Sequence, residues 1–219
     1  GVCFVLFFCQ LVQSPYFCSM NPSNTRIIGL DPGPETSGIV VLDQGLIIGA
    51  WNLPNTALFD KIACFSLHKN LTIVIEDIKP FSVKSSPQVI DTCKFIGVLV
   101  YRLQEEAGLN VKLLARFDVK KWIYDAYNYI SGPLVDSKIL KKCFKACDIE
   151  TREEITVDQY GRKPRKGSFI YVDDRIVMEV MKVIYQVKLK GVGLGYQYGL
   201  QSHSFQALAV ATLYCMTIQ

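Results

Sequence analysis

The stretch that most constrains this chain is 26–43, "RIIGLDPGPETSGIVVLD". Ile27, Ile28 and Leu30 form one apolar run, and Ile39, Val40, Val41 and Leu42 form another. β-Branched residues suit a pleated, packed surface. Between the runs lies Pro32-Gly33-Pro34-Glu35-Thr36-Ser37-Gly38, whose glycines and prolines favour a connecting turn. The unit reads as a β-hairpin with Asp31 late in its first strand. A carboxylate there is costly if it is buried without a partner. On this stretch alone, Asp31 is either a cap for the turn or a group kept for chemistry.

The 219 residues suffice for one domain with a substantial core. Half of the chain is hydrophobic and a fifth is charged, which excludes a disordered composition. The net charge of +4 permits nucleic-acid binding without requiring it. Its distribution says more. Lys138, Lys141, Lys142 and Lys145 recur at helical spacing, and Arg162, Lys163, Arg165 and Lys166 cluster. Such patches can track a phosphate backbone or simply face water. The eight cysteines form no CxxC pair, and they read as reduced, mostly buried thiols of an intracellular, cytoplasmic protein. Residues 1–25 form an apolar N-terminal extension. Its uninterrupted apolar run, Val2 to Cys9, is too short to span a bilayer, and it lacks a basic start. Met20 is the expected natural start, with 1–19 as translated upstream sequence; a truncated signal or anchor is the alternative.

Further along, "QGLIIGAWNL" predicts a third strand and "TALFDKIACFSLHK" a helix. "LTIVIEDI" predicts a strand ending at Glu76, with Asp77 on the opposite sheet face. "SPQVIDTCKFIGVLVYRLQEEAG" predicts a helix from Ser-Pro to Gly108. "NVKLLARF" reads as a strand, "DVKKWIYDA" as a short helix and "PLVDSKILKKCFKAC" as a helix with one basic face. Residues 149–170 read as a loop or hairpin insertion, and "DDRIVMEVMKVIYQVK" as a helix with Asp173-Asp174 as capping acids. "SHSFQALAVATLYCMTI" is a final helix opened by Ser202 as N-cap. Hairpin-led strands followed by helices and further strands give an α/β architecture.

These segments, in order, resemble a known family. "IIGLDPGPETSG" is similar to the first-strand motif of the RuvC-type Holliday junction resolvases, which belong to the RNase H-like superfamily. "IVIED" resembles their second acidic motif, and "SHSFQALAVA" their C-terminal helix. "PQVIDTCKFIGVL", "VDSKILKKCF" and "YGLQSHSFQALAVA" resemble the bacteriophage-encoded branch. The resemblance covers roughly Arg26 to Thr212, with an expanded region around 149–190 inside a nuclease domain of residues 26–219.

The resemblance implies an RNase H-like mixed five-stranded sheet flanked by helices. It implies a crossover junction endodeoxyribonuclease acting on branched DNA as a homodimer, with no membrane association. Two divalent ions about 4 Å apart would activate water and stabilise the leaving oxygen. Mg²⁺ prefers carboxylate oxygens, and Mn²⁺ can substitute. By resemblance, Asp31 bridges both ions, Glu76 holds one, and His203 binds the second or assists proton transfer. Gln206 departs from the pattern, since the family usually has its last catalytic Asp there. Asp136, near the position of a family lysine, is the expected substitute acid. Lys84, Ser85, Lys138, Lys141 and Lys142 are the expected DNA contacts. Two other readings remain. One is a DNA-binding relative weakened by Gln206. The other is an actin-like or sugar-kinase-like ATPase, which usually needs two such domains and a phosphate loop not evident here.

Overall fold

The computed structural model describes residues 25–78, 86–130, 144–148, 154–155, 168–172, 174–185 and 200–217. Three strands open it: β1 (Arg26–Asp31), β2 (Thr36–Asp43) and β3 (Leu46–Pro54). Helix α1 (Asn55–Ala63) leads to β4 (Leu71–Asp77), and α2 (Pro87–Tyr101) leads to β5 (Asn110–Ala115). Helix α3 (Arg116–Ile130) follows. Then come β6 (Phe144–Asp148), β7 (Glu154–Ile155), β8 (Ser168–Val172), α4 (Asp174–Ile184) and α5 (Ser202–Thr217).

The main sheet has the order β3-β2-β1-β4-β5. β2 is antiparallel to β1 and β3, while β4 runs parallel to both β1 and β5. This is an α/β fold with the mixed five-stranded sheet that was expected. Helices cover both faces, so the central strands are apolar throughout rather than alternating. Ile28, Leu30, Ile73 and Ile75 pack with α1 and α2, whereas Ile27, Val40 and Val74 pack with α3, α4 and α5. Each such fully buried side chain contributes about 1.5–3 kcal/mol.

Local chemistry fixes the turns. Gln44 and Gly45 both have positive φ, 51° and 77°, as a two-residue hairpin of the tight, right-twisting kind requires. The turn after Asp31 is clasped by Asn55. Its amide donates to the carbonyls of Gly33 and Pro34, at 3.0 and 3.3 Å, and its Oδ1 accepts from Ser37 Oγ at 2.7 Å. Helix α2 starts at Pro87 behind Ser86, whose Oγ accepts from the Val89 N–H at 3.4 Å. It runs on through a π-helical stretch, Arg102–Glu106, and terminates at Gly108, φ +64°.

Several expectations are corrected. The strand expected over "NVKLLARF" stops at Ala115, and the following helix is longer than predicted, Arg116–Ile130. Phe144–Asp148 is a strand rather than the end of a basic helix, because it pairs antiparallel with β8 over its whole length. Lys145 and Cys147 therefore do not continue a helical stripe. The region expected to be a loop or hairpin insertion does hold strands, β7 and the start of β8, which join β6 in a second sheet of order β7-β6-β8. Among the described cysteines Cys64 is exposed, Cys93 half-buried and Cys215 buried, so the expectation of buried thiols holds only in part. The extension 1–24 lies outside the described residues. Among the described residues no helix is long and apolar enough to cross a membrane.

Candidate active site

Strand register brings the two acids together. β1 and β4 are parallel with Leu30 opposite Ile75, so Asp31 and Glu76 follow at neighbouring positions on adjacent central strands. Alternation puts both on the face covered by α3, α4 and α5. Asp77, next along, lies beside Cys93 of α2 on the other face, as alternation predicted; burial and then the Asp77 charge push the Cys93 thiol up. Both site acids are buried, Glu76 completely.

Helix α5 delivers the third residue. It approaches the sheet at unusually short range because β1 and β2 present glycines to it. A Cβ on Gly29 would lie 2.2 Å from the Ala207 carbonyl oxygen, and one on Gly38 would lie 2.2 Å from that of His203. The small residues of "ALAVA" complete this fit, with Ala211 also against Gly29. The first turn of α5 is tied by Ser204. Its hydroxyl accepts from the Gln201 N–H at 2.6 Å and donates to the Gln201 carbonyl at 2.8 Å. The helix begins at Ser202. With the helix so placed, His203 Nδ1 lies 2.8 Å from Asp31 Oδ2.

Sequence reasoning missed the other half of the site. Arg116 and Lys120, one turn apart on α3, reach it from the opposite side. Arg116 Nη1 donates to Glu76 Oε2 at 3.2 Å, and its Nη2 lies 3.6 Å from Asp174 Oδ1. Lys120 is fully buried; its ammonium donates to Asp174 Oδ1 at 2.6 Å and to Gln206 Oε1 at 2.9 Å. Asp174, read from sequence as a helix cap, does occupy the first turn of α4, where the helix dipole favours an acid. Its carboxylate is nonetheless committed to Lys120 and Arg116. The available signal was the spacing of α3: Arg116, Lys120 and Ile123 share a helical face, which sets two cations beside a core residue.

The charges perturb one another. Burial, opposed by Arg116 and reinforced by the neighbouring Asp31 carboxylate, pushes the Glu76 carboxyl up to about 7. The hydrogen bond to Asp31 raises His203 against the opposing effect of its partial burial. Burial, then the nearby Arg116, lowers Lys120 despite its partner Asp174. Asp174 is raised by desolvation but lowered more by Lys120, Arg116 and His203 together, and ends below the ordinary carboxylate range.

Among the described residues, no three His, Cys, Asp or Glu side chains gather closely enough to hold a metal ion by themselves. Glu76 Oε1 is nevertheless buried without any hydrogen-bond partner, as is Gln206 Nε2. A buried carboxylate oxygen left unsatisfied is costly unless a cation or proton meets it. Beside Asp31, it fits a hard divalent ion that takes one or two carboxylates and keeps its waters. Of the other expected site residues, Asp136, Lys84, Ser85, Lys138, Lys141 and Lys142 lie outside the described residues.

No family model matches this sequence, and no curated protein matches it either. Among solved structures it is similar to T. thermophilus RuvC in complex with Holliday junction substrate. That match has 13% identity and a TM-score of 0.48, and covers 89% of this chain and 95% of the other. A second Thermus thermophilus RuvC structure matches at 14% identity and TM-score 0.39, with the same coverage. The Aquifex aeolicus PPX-GPPA enzyme matches at 12% identity and TM-score 0.31, over 71% of this chain and 55% of the other.

Proposed function

We propose that this chain is a divalent-metal-dependent, structure-specific endodeoxyribonuclease of the Holliday junction type, acting on branched DNA inside the cell as a homodimer. The observation that carries this is the convergence of Asp31, Glu76 and His203 at one end of the central strands. The motif resemblance had singled out the same three residues. In the reaction, the oxygen of water bonds to phosphorus and one phosphorus–oxygen ester bond breaks. The leaving oxygen takes a proton, and the products are a phosphate monoester and an alcohol.

Asp31 and Glu76 would hold the metal, with Mg²⁺ or Mn²⁺ as the ions that suit carboxylate oxygens. Bound there, the ion would lower the pKa of a water and polarise the phosphoryl oxygen. The remaining work falls to this chain's own residues. Asp31 fixes the imidazole of His203 through Nδ1 and leaves Nε2 as the atom for proton transfer. Arg116 and Lys120 hold positive charge beside the acids. Phosphate contacts from Lys84, Ser85, Lys138, Lys141 and Lys142 would position the DNA without reading its sequence.

The test is cleavage of a strand-labelled four-way junction with Mg²⁺ or Mn²⁺. Metal-dependent nicks by the wild type that Asp31→Asn abolishes support the proposal. Junction binding without cleavage would assign a DNA-binding scaffold instead, in line with the neutral Gln206. Neither binding nor cleavage of branched DNA would overturn the reading.

A further inference from the structure

We propose that this site takes one divalent cation rather than two, and that Arg116 and Lys120 supply the positive charge a second ion would bring. The inference rests on the nuclease reading and concerns the metal count, where this chain departs from its motif resemblance.

Three observations point the same way. The orphaned buried oxygen, Glu76 Oε1, lies beside Asp31 and marks one place for a cation. Among the described residues, the position where the resembled motif carries its last acid holds the neutral Gln206. Its single side-chain oxygen already accepts from the Lys120 ammonium at 2.9 Å. An ammonium in that position repels a dication. Asp174, a further carboxylate among the described residues, turns its Oδ1 to these cations, held by Lys120 at 2.6 Å and facing Arg116 at 3.6 Å.

Arg116 suits the substrate-facing role. Its side chain is 27% exposed, between the buried Glu76 and the exposed Asp174. Its planar fork can exchange the long contact to Asp174 for a phosphate oxygen.

Mn²⁺ titration of the whole protein, with bound Mn²⁺ counted by calorimetry and inspected by electron paramagnetic resonance, tests this directly. One magnetically isolated Mn²⁺ per chain, lost in Asp31→Asn, is expected. Two Mn²⁺ with the spectrum of a coupled pair would overturn the inference while leaving the nuclease reading standing. A pair reduced to one by Asp136→Asn would overturn it too, and name the missing ligand. No bound Mn²⁺ at all would overturn both. The double variant Lys120→Met/Gln206→Asp, which removes the ammonium and supplies the acid, is expected to bind a second Mn²⁺. Arg116→Ala is expected to keep the one-ion count but slow junction cleavage by roughly a hundredfold, as loss of a transition-state charge donor does. Arg116→Lys should recover part of that rate. An unchanged rate in Arg116→Ala would contradict its assigned part.

Discussion

Lys120 Nζ donates to Gln206 Oε1 at 2.9 Å, a buried contact between residues 86 positions apart. Two side chains that each look misplaced, a buried lysine and a buried glutamine, meet through this bond, while Gln206 Nε2 stays without a partner. Their pairing makes a testable statement about stability. Lys120→Met leaves Asp174 able to rehydrate, because its side chain is 64% exposed, but strands the buried Gln206 oxygen. The expected cost is about 1–3 kcal/mol, the penalty for one unsatisfied buried polar group. The double variant Lys120→Met/Gln206→Leu should recover most of it, since matched apolar replacement of a buried polar pair is often neutral. A urea double-mutant cycle measures this, and additive losses would contradict it.

The close approach of α5 to the sheet gives a second expectation. In Gly38→Ala the new Cβ meets the His203 carbonyl at 2.2 Å, a backbone contact with no flexible end to yield. The start of α5 must then shift. The fold should lose about 1–3 kcal/mol, and His203 should move off Asp31. Thermal unfolding reports the first effect, and weakened cleavage reports the second. A variant as stable as the wild type would show that the helix is not held at this distance.

Proton linkage gives a third. The Glu76 carboxyl is raised from 4.5 to about 7, so between these values the folded state holds a proton that the unfolded chain releases. Stability from this group is complete below pH 4.5 and is lost as pH rises through 7. His203, also raised, acts in the same direction: its contribution is full below 6.5 and fades as pH rises through its folded value. With a chelator present, urea unfolding should therefore show lower stability at pH 7.5 than at pH 5, and Glu76→Gln should flatten the slope. Stability that climbs over this interval would contradict the assignment.

Much of the fold was legible because it is written in local patterns. The two β-branched runs around Pro32–Gly38 gave the hairpin, and the run before Glu76 gave the strand beside it. Asp31 and Glu76 stood out because each is a carboxylate closing an apolar strand. The cationic half of the site was not legible. Lys120 stands in a Lys-Lys pair that reads as solvated, and its partners lie 54 and 86 residues away. The misassigned end of the basic helix has a similar cause. Phe144–Asp148 is decided by its antiparallel partner β8, more than twenty residues further on, and not by its own propensity.

The most direct test of the central claim is Glu76→Gln, an isosteric change that removes one charge from the buried acid pair. Junction cleavage in Mg²⁺ and junction affinity should be measured side by side. A loss of at least ~100-fold in cleavage with affinity retained is the expected result for a lost metal ligand. Cleavage at the wild-type rate would contradict the account, because the orphaned oxygen of Glu76 would then hold nothing that the reaction needs.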